Sequence, residues 1–284
     1  MRRRNKSVAG TLISLCLAAL ALVVSQVRQE LLPQEPSVVT GSGARDAKDV
    51  SPTAQEASPK GYELPAPVAD EMRLERVGYT VSYNKETREP NWVAWRLTRD
   101  HAQGKVKREG MSFAEDADVP EPRALLADYY ASGYDRGHMC PAADCKWSEE
   151  AMRQSFLLTN VCPQDQNLNR GEWNDVEQLC REWAVRYGEV YIACGPVFQG
   201  RSPRRRLGKG RVWVPDAFFK VVYCPADGGK AIGFLYRNGD GRQTYDESVR
   251  SVDALEQLTG YDFFTALDDK VESRVEASAD WADW

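Results

Sequence analysis

Asn160-Val-Cys-Pro-Gln-Asp-Gln-Asn-Leu-Asn-Arg-Gly-Glu-Trp-Asn-Asp-Val-Glu177 is the most informative stretch of this chain, and Asp135-Arg-Gly-His138 is its companion upstream. Beyond Gly171, the residues Trp173, Val176, Cys180, Trp183 and Tyr187 recur in steps of three and four, which predicts a helix with one apolar face ending near Tyr187. Working outward, residues 189–194, 212–214, 218–223 and 231–236 read as strands, and 249–258 as a last helix. Upstream, 155–160 reads as a buried strand and 149–154 as a short helix capped by Ser148. Residues 78–83 and 91–97 alternate apolar and polar around a polar connection, 84–90, and so predict a β-hairpin. A loop-rich stretch, 100–130, separates that hairpin from the Asp135 motif. Strands arriving in a hairpin and then in a run, with few helices, favour an α+β domain over a parallel βαβ sheet.

The chain has 284 residues, 42% of them hydrophobic and 10% aromatic, enough for one main domain with a real core. A net charge of −5 argues against a high-affinity, purely electrostatic nucleic-acid binder. One acid-free basic run, from Arg201 to Arg211, fits a solvated loop and phosphate steering equally well. A basic start (Arg2, Arg3, Arg4, Lys6) and an uncharged apolar run over 8–27 predict a signal peptide or a retained signal-anchor helix, hence an exported protein: periplasmic, extracellular or membrane-anchored and facing outside. Residues 28–60, rich in Pro, Ser and Gln, read as a disordered linker, 61–267 as the folded domain and 268–284 as a loose acidic tail. Apart from Cys16, six cysteines remain, an even number that permits disulfides without requiring them. With no Cys-x-x-Cys and only His101 and His138, a zinc site is poorly supported.

Asp-Arg-Gly-His, then Asn-x-x-Pro-Gln, then Leu-Asn-x-Gly-x-Trp and a Glu shortly after resemble, in order and spacing, the signature of the DNA/RNA non-specific endonuclease family. The similarity extends through Gly195 to Val197 and Val214 to Val221, so that it covers roughly residues 78–265. The resemblance implies the ββα-metal (His-Me finger) fold, a mainly antiparallel central sheet flanked by helices. It also implies magnesium-dependent hydrolysis of DNA and RNA backbones, with manganese able to substitute, leaving 5′-phosphate ends. His138 would be the general base, as an imidazole with a pKa near ~6.5 can accept a proton at neutral pH. Asn169 would be the single direct metal ligand, Glu177 would hold metal-bound waters, Asn160 would orient the site, and Arg136 would grip the phosphate. Arg108 matches a further substrate-binding arginine, in a more loosely aligned loop.

Each residue also has a plainer reading. His138 reads as a structural histidine, Asn169 as a helix N-cap, Glu177 as a solvated helix face, Asn160 as a turn residue and Arg136 as a structural salt-bridge partner of Asp135 or of another acid. Cys140 and Cys162 flank the motifs, either as a disulfide near the site or as small buried side chains. No base-reading module stands beside the motifs, consistent with low sequence specificity. Two rivals stand beside this reading: a catalytically idle nucleic-acid or envelope-binding protein of the same fold, and a phosphodiesterase acting on small esters. A basic groove continuing away from His138 would separate a polymer substrate from a small one.

Overall fold

Short runs of β-branched and aromatic residues, broken by turn residues, set the strands. The computed structural model describes residues 61–284 apart from 201–204, 210 and 240. In chain order the strands are β1 (Met72–Glu75), β2 (Thr80–Asn84), β3 (Glu89–Thr98), β4 (Asp135–His138), β5 (Val161–Gln164), β6 (Glu189–Val197), β7 (Arg206–Leu207), β8 (Val212–Trp213), β9 (Ala217–Cys224), β10 (Lys230–Arg237) and β11 (Val249–Arg250). The α-helices are α1 (Arg99–Ala102), α2 (Glu149–Ser155), α3 (Gln166–Arg170), α4 (Glu172–Tyr187), α5 (Tyr245–Ser248), α6 (Val252–Thr259) and α7 (Asp269–Glu276). One sheet has the order β1-β2-β3-β6-β9-β10-β11, and every neighbouring pair in it is antiparallel. The fold is α+β, as the sequence predicts.

Both faces of this sheet are buried, and alternate residues serve them. Trp95, Ile192, Cys194, Phe218, Val222 and Phe234 face one core, where Trp173, Val176, Cys180 and Trp183 of α4 pack against them. Trp92, Tyr191, Phe219, Val221 and Tyr223 face the other, beneath Val252, Leu255, Phe263, Phe264 and Val275. Each fully buried aromatic or aliphatic side chain contributes about 1.5–3 kcal/mol, so the apolar stripe on α4 is what holds that helix to the sheet.

Strands β3 and β6 are neighbours, with Thr98 opposite Glu189, so the segment 99–188 is one long excursion between paired strands. It contains the β4–β5 ribbon, in which Asp135 pairs with Gln164 and His138 with Val161, followed directly by α3 and α4. The apolar stretch at 155–160 is not the strand its composition suggests. Ser155 ends α2, Phe156 caps it, and residues 158–160 make a 3-10 turn. Phe156 and Leu158 are buried there without a ladder; a short apolar run does not reveal its backbone shape.

The C-terminal segment also departs from expectation. Residues 269–276 are helical, Val275 is buried, and the Trp284 ring lies 4.2 Å from that of Trp183. Deleting 268–284 is therefore expected to destabilise the protein by about 2–4 kcal/mol; a loose tail would leave the urea midpoint unchanged. The segments read as a signal or anchor (1–27) and as a linker (28–60) lie outside the described residues.

Candidate active site

β4 carries the first motif to the rim of a cleft of about 770 Å³, and α3 and α4 carry the second to its other side. Arg108, Arg136, His138, Asn169 and Glu177, five of the six candidate residues, line this one cleft. The sixth, Asn160, is buried beneath it. Two motif glycines are required by close approach. A Cβ on Gly137 would overlap the buried side chain of Gln164 across the ribbon, and one on Gly171 would lie 2.7 Å from the Asn167 carbonyl oxygen where α3 breaks into α4. Gly137→Ala is accordingly expected to lower stability by about 1–3 kcal/mol, the usual penalty of overpacking, visible as a lower Tm.

The His138 ring sits 5.1 Å from that of Phe113 and 5.0 Å from that of Phe156. Its Nε2 is enclosed and has no hydrogen-bond partner. Burial first, then the positive charges of Arg108 and Arg136, push its pKa down to about 3, so the ring is neutral at pH 7. Arg108 lies over the Phe156 ring at 5.1 Å and Arg136 over the Phe113 ring at 4.6 Å. Two aromatic rings thus hold two guanidinium groups beside one imidazole.

Asn160 works from below. Its Oδ1 accepts from the Cys140 N–H at 2.8 Å, and its Nδ2 donates to the carbonyls of Cys140 at 2.9 Å and Ser155 at 2.8 Å. It clasps the chain two residues after His138. Asn169 lies inside α3, whose N-cap is Asp165, so it does not serve as the cap that its residue type suggests. Its Nδ2 donates to Asp135 Oδ2 at 2.9 Å, an arrangement that leaves its carbonyl oxygen uncommitted. Asp135 also receives two bonds from Arg170, each 2.8 Å; Arg136 is therefore not its partner. Burial would raise the Asp135 pKa, but bonds from Arg170 and Asn169 hold it below the usual carboxylate value.

Behind Glu177 lies a polar cluster that no reading of the motifs anticipates. Arg181, one turn further along α4, donates to buried Asp144 at 2.9 Å, and Trp95 Nε1 donates to the other Asp144 oxygen at 3.1 Å. Lys220, fully buried on β9, places its ammonium 4.4 Å from the centre of the Trp173 ring and 5.2 Å from that of Trp95. Burial pushes Glu177 up to about 7, partly offset by the positive charge of Lys220. A signal for Lys220 exists in the sequence, since it is the one charge in the apolar run of β9. For Arg181 the signal is its spacing of four from Glu177. The cleft wall holds Arg108, Arg136, Lys146, Arg170 and Arg181 against Asp135 and Glu177, so five cations face two carboxylates in a chain whose net charge is −5.

The six described cysteines are free, buried thiols. Cys162 forms no bridge, and Cys140 Sγ lies 3.8 Å from Cys145 Sγ. His101, the other histidine, stacks on Trp147 at 4.3 Å outside the cleft. Of the basic run, Arg205 stacks 5.0 Å over the ring of Tyr134, next to Asp135 in sequence.

A strand ribbon running into a helix, with histidine at the end of the first strand, defines by its fold the class of ββα-metal nucleases. A crystal structure of the EndoG/EndoGI complex, which concerns the mechanism of EndoG inhibition, matches with a TM-score of 0.67 at 26% identity, covering 74% of this chain and 91% of that one. The family model for DNA/RNA non-specific endonucleases matches residues 60–270, and the chain belongs to that family. Among curated relatives, Nuclease 1, mitochondrial, of Schizosaccharomyces pombe is 40% identical over 179 residues, 59% of this chain and 55% of its own length. Endonuclease G, mitochondrial, of Bos taurus is 38% identical over 164 residues, 55% of each. A nuclease of Syncephalastrum racemosum is 37% identical over 230 residues, 72% of this chain and 70% of its own. The chain thus spans about half the length of the first two.

These comparisons overturn the expectation of an exported protein. The S. pombe and bovine relatives are mitochondrial nucleases by name. Among the described residues no helix is long and apolar enough to cross a membrane, and the apolar run at 8–27, which carried both the export and the membrane expectation, lies outside them. A basic, acid-poor start is shared by leaders for different compartments, and for that reason it did not discriminate here.

Proposed function

We propose that this protein is a metal-dependent endonuclease that hydrolyses phosphodiester bonds of DNA and RNA with little sequence specificity and leaves 5′-phosphate ends. The observation that carries the proposal is the convergence in one basic cleft of a neutral imidazole and two arginines, Arg108 and Arg136, that no carboxylate of the described residues pairs with. His138, its Nε2 enclosed, acts through Nδ1 as general base and takes a proton from the attacking water. Arg136 and Arg108 hold phosphate oxygens through their planar donor forks. Asn160 positions His138 by fixing the backbone at Cys140.

The donor set of the cleft fits a hard divalent cation, magnesium with manganese able to substitute. The Asn169 amide is oriented by Asp135 so that its oxygen is free to ligate, and Glu177, two turns on, can accept from waters around the ion. Bound there, such an ion would supply positive charge for the departing 3′ oxygen. Its charge would also favour the carboxylate form of Glu177 over the acid.

A polymer substrate is favoured over a small ester because the cleft wall carries Arg108, Arg136, Lys146, Arg170 and Arg181, more cations than a single phosphate needs. The recess that adjoins it at Lys146 is charge-balanced, with Lys105 and Lys107 beside Asp100, Glu109 and Glu149. Contacts to a repeating backbone carry no base information. The test is digestion of plasmid DNA and total RNA by the full chain with magnesium or with chelator. Metal-dependent loss of both substrates is expected. Hydrolysis of a small phosphodiester without cleavage of either polymer would instead favour the small-ester enzyme, and a folded protein inert on all three substrates would favour a binding protein.

A further inference from the structure

On the opposite face of the sheet from His138, carboxylates converge where α6 meets α7. Asp253 and Glu256, one turn apart on α6, and Glu276, the last residue of α7, each bring a carboxylate oxygen within 4.8 Å of the other two. Glu276 is only 4% exposed, and its Oε1 is enclosed with no hydrogen-bond partner. It also sits at a helix C-terminus, where unpaired carbonyls make the potential unfavourable for an anion. Glu256 uses Oε1 to accept from the Phe263 N–H at 2.8 Å, which leaves its second oxygen available. Asp262 and Glu272 add negative charge nearby. Arg274, two residues before Glu276, donates to the carbonyls of Gly228 and Gly229 instead. Among the described residues, no Lys or Arg forms an ion pair with Asp253, Glu256 or Glu276. A buried carboxylate among like charges requires either a proton or a cation.

We infer that Asp253, Glu256 and Glu276 form a second divalent-cation site, of the calcium type, which clamps α7 and the chain's C-terminal segment onto the body of the protein. Three oxygens within this span suit a cation at about 2.3–2.6 Å from each, with irregular coordination completed by water. Magnesium demands a tighter octahedron at about 2.0–2.1 Å and keeps most of its own waters. With no His or Cys among the three, zinc is disfavoured. In the absence of a cation, burial and the neighbouring carboxylates push Glu276 up to about 9, so that a proton takes the ion's place. The site uses none of the residues of the nucleolytic cleft and stands independently of the function proposed above.

The experiment is calcium titration of the chelator-stripped full chain, followed by calorimetry and thermal unfolding, in the wild type and in Asn169→Ala to silence ion binding in the cleft. Both should bind calcium and gain about 5 °C or more in Tm at saturating millimolar calcium, with a smaller gain from magnesium. Glu276→Gln should have a higher Tm than the wild type in chelator, yet gain nothing from calcium. Exposed Asp253→Asn, which disturbs no packing, should bind calcium about tenfold more weakly. Absence of a calcium response in the wild type, or an undiminished one in both cluster variants, would overturn the inference and leave Glu276 as a protonated acid.

Discussion

Replacing His138 with alanine is expected to slow cleavage of plasmid DNA and of RNA by about 10²–10⁴-fold, the share of a rate that a placed general base supplies, while the protein stays folded. The ring packs against Phe113 and Phe156, so its removal also leaves a partial cavity costing about 1–3 kcal/mol. A thermal melt beside the assay separates the two effects. The pH dependence gives a second handle. Since the folded pKa lies near 3, far below an unshifted value of about 6.5, the free enzyme holds its base ready well into the acid range. With magnesium saturating, so that Glu177, at about 7 without the ion, is held as a carboxylate, the kcat/KM profile should therefore stay level from pH 7 to about 5, whereas an ordinary solvated histidine would lose most of its basic form there. The sign for stability follows. Protonation favours the unfolded chain, so this contribution is complete above about pH 6.5 and is lost as pH falls toward the folded value. An acid limb centred near 6.5, or a folded alanine variant with full activity, would refute His138 as a shielded base.

Asn169→Ala is the second large effect: about 10²-fold slower cleavage, with the metal concentration for half-maximal rate moved upward. Its structural consequence should be small. Asp135 keeps both bonds from Arg170, and losing a partly exposed hydrogen bond costs about 0.5–1.5 kcal/mol. Because Asn169 is not the N-cap of α3, no capping energy is lost either. Asn169→Asp should not rescue the rate, since a second carboxylate beside Asp135 repels it. Metal titration of the initial rate, with Tm as control, decides the matter: unchanged metal dependence at full activity would remove Asn169 from the ligand set.

Much of this architecture is legible in the chain because helices and caps are local. The spacing of Trp173, Val176, Cys180 and Trp183 specifies the buried face of α4, and Ser148 accepts from the Ala151 N–H at the start of α2 as its residue type predicts. Strand order is less legible. β9 is buried on both faces, so its alternation is masked, and only Lys220 breaks the run. The Asp135 bonds to Arg170 span 35 positions, and the hold of Asn160 on Cys140 spans 20; no periodicity connects such pairs. The acidic end hides its role for a different reason. Charged residues dominate α7, and Val271 and Val275, four apart, are the only local trace of the face it buries.

The placement of segment 99–188 between the paired strands β3 and β6 has a kinetic corollary. Closing that pair means drawing together chain ends separated by the whole excursion, and contacts of such high sequence separation form slowly because loop-closure entropy precedes their reward. The same excursion delivers Arg108, His138, Asn169 and Glu177. The groups proposed to carry hydrolysis therefore lie in the excursion whose closure is of the slow, long-range class of folding event. A chain still folding carries all the residues of the cleft but not yet the cleft itself.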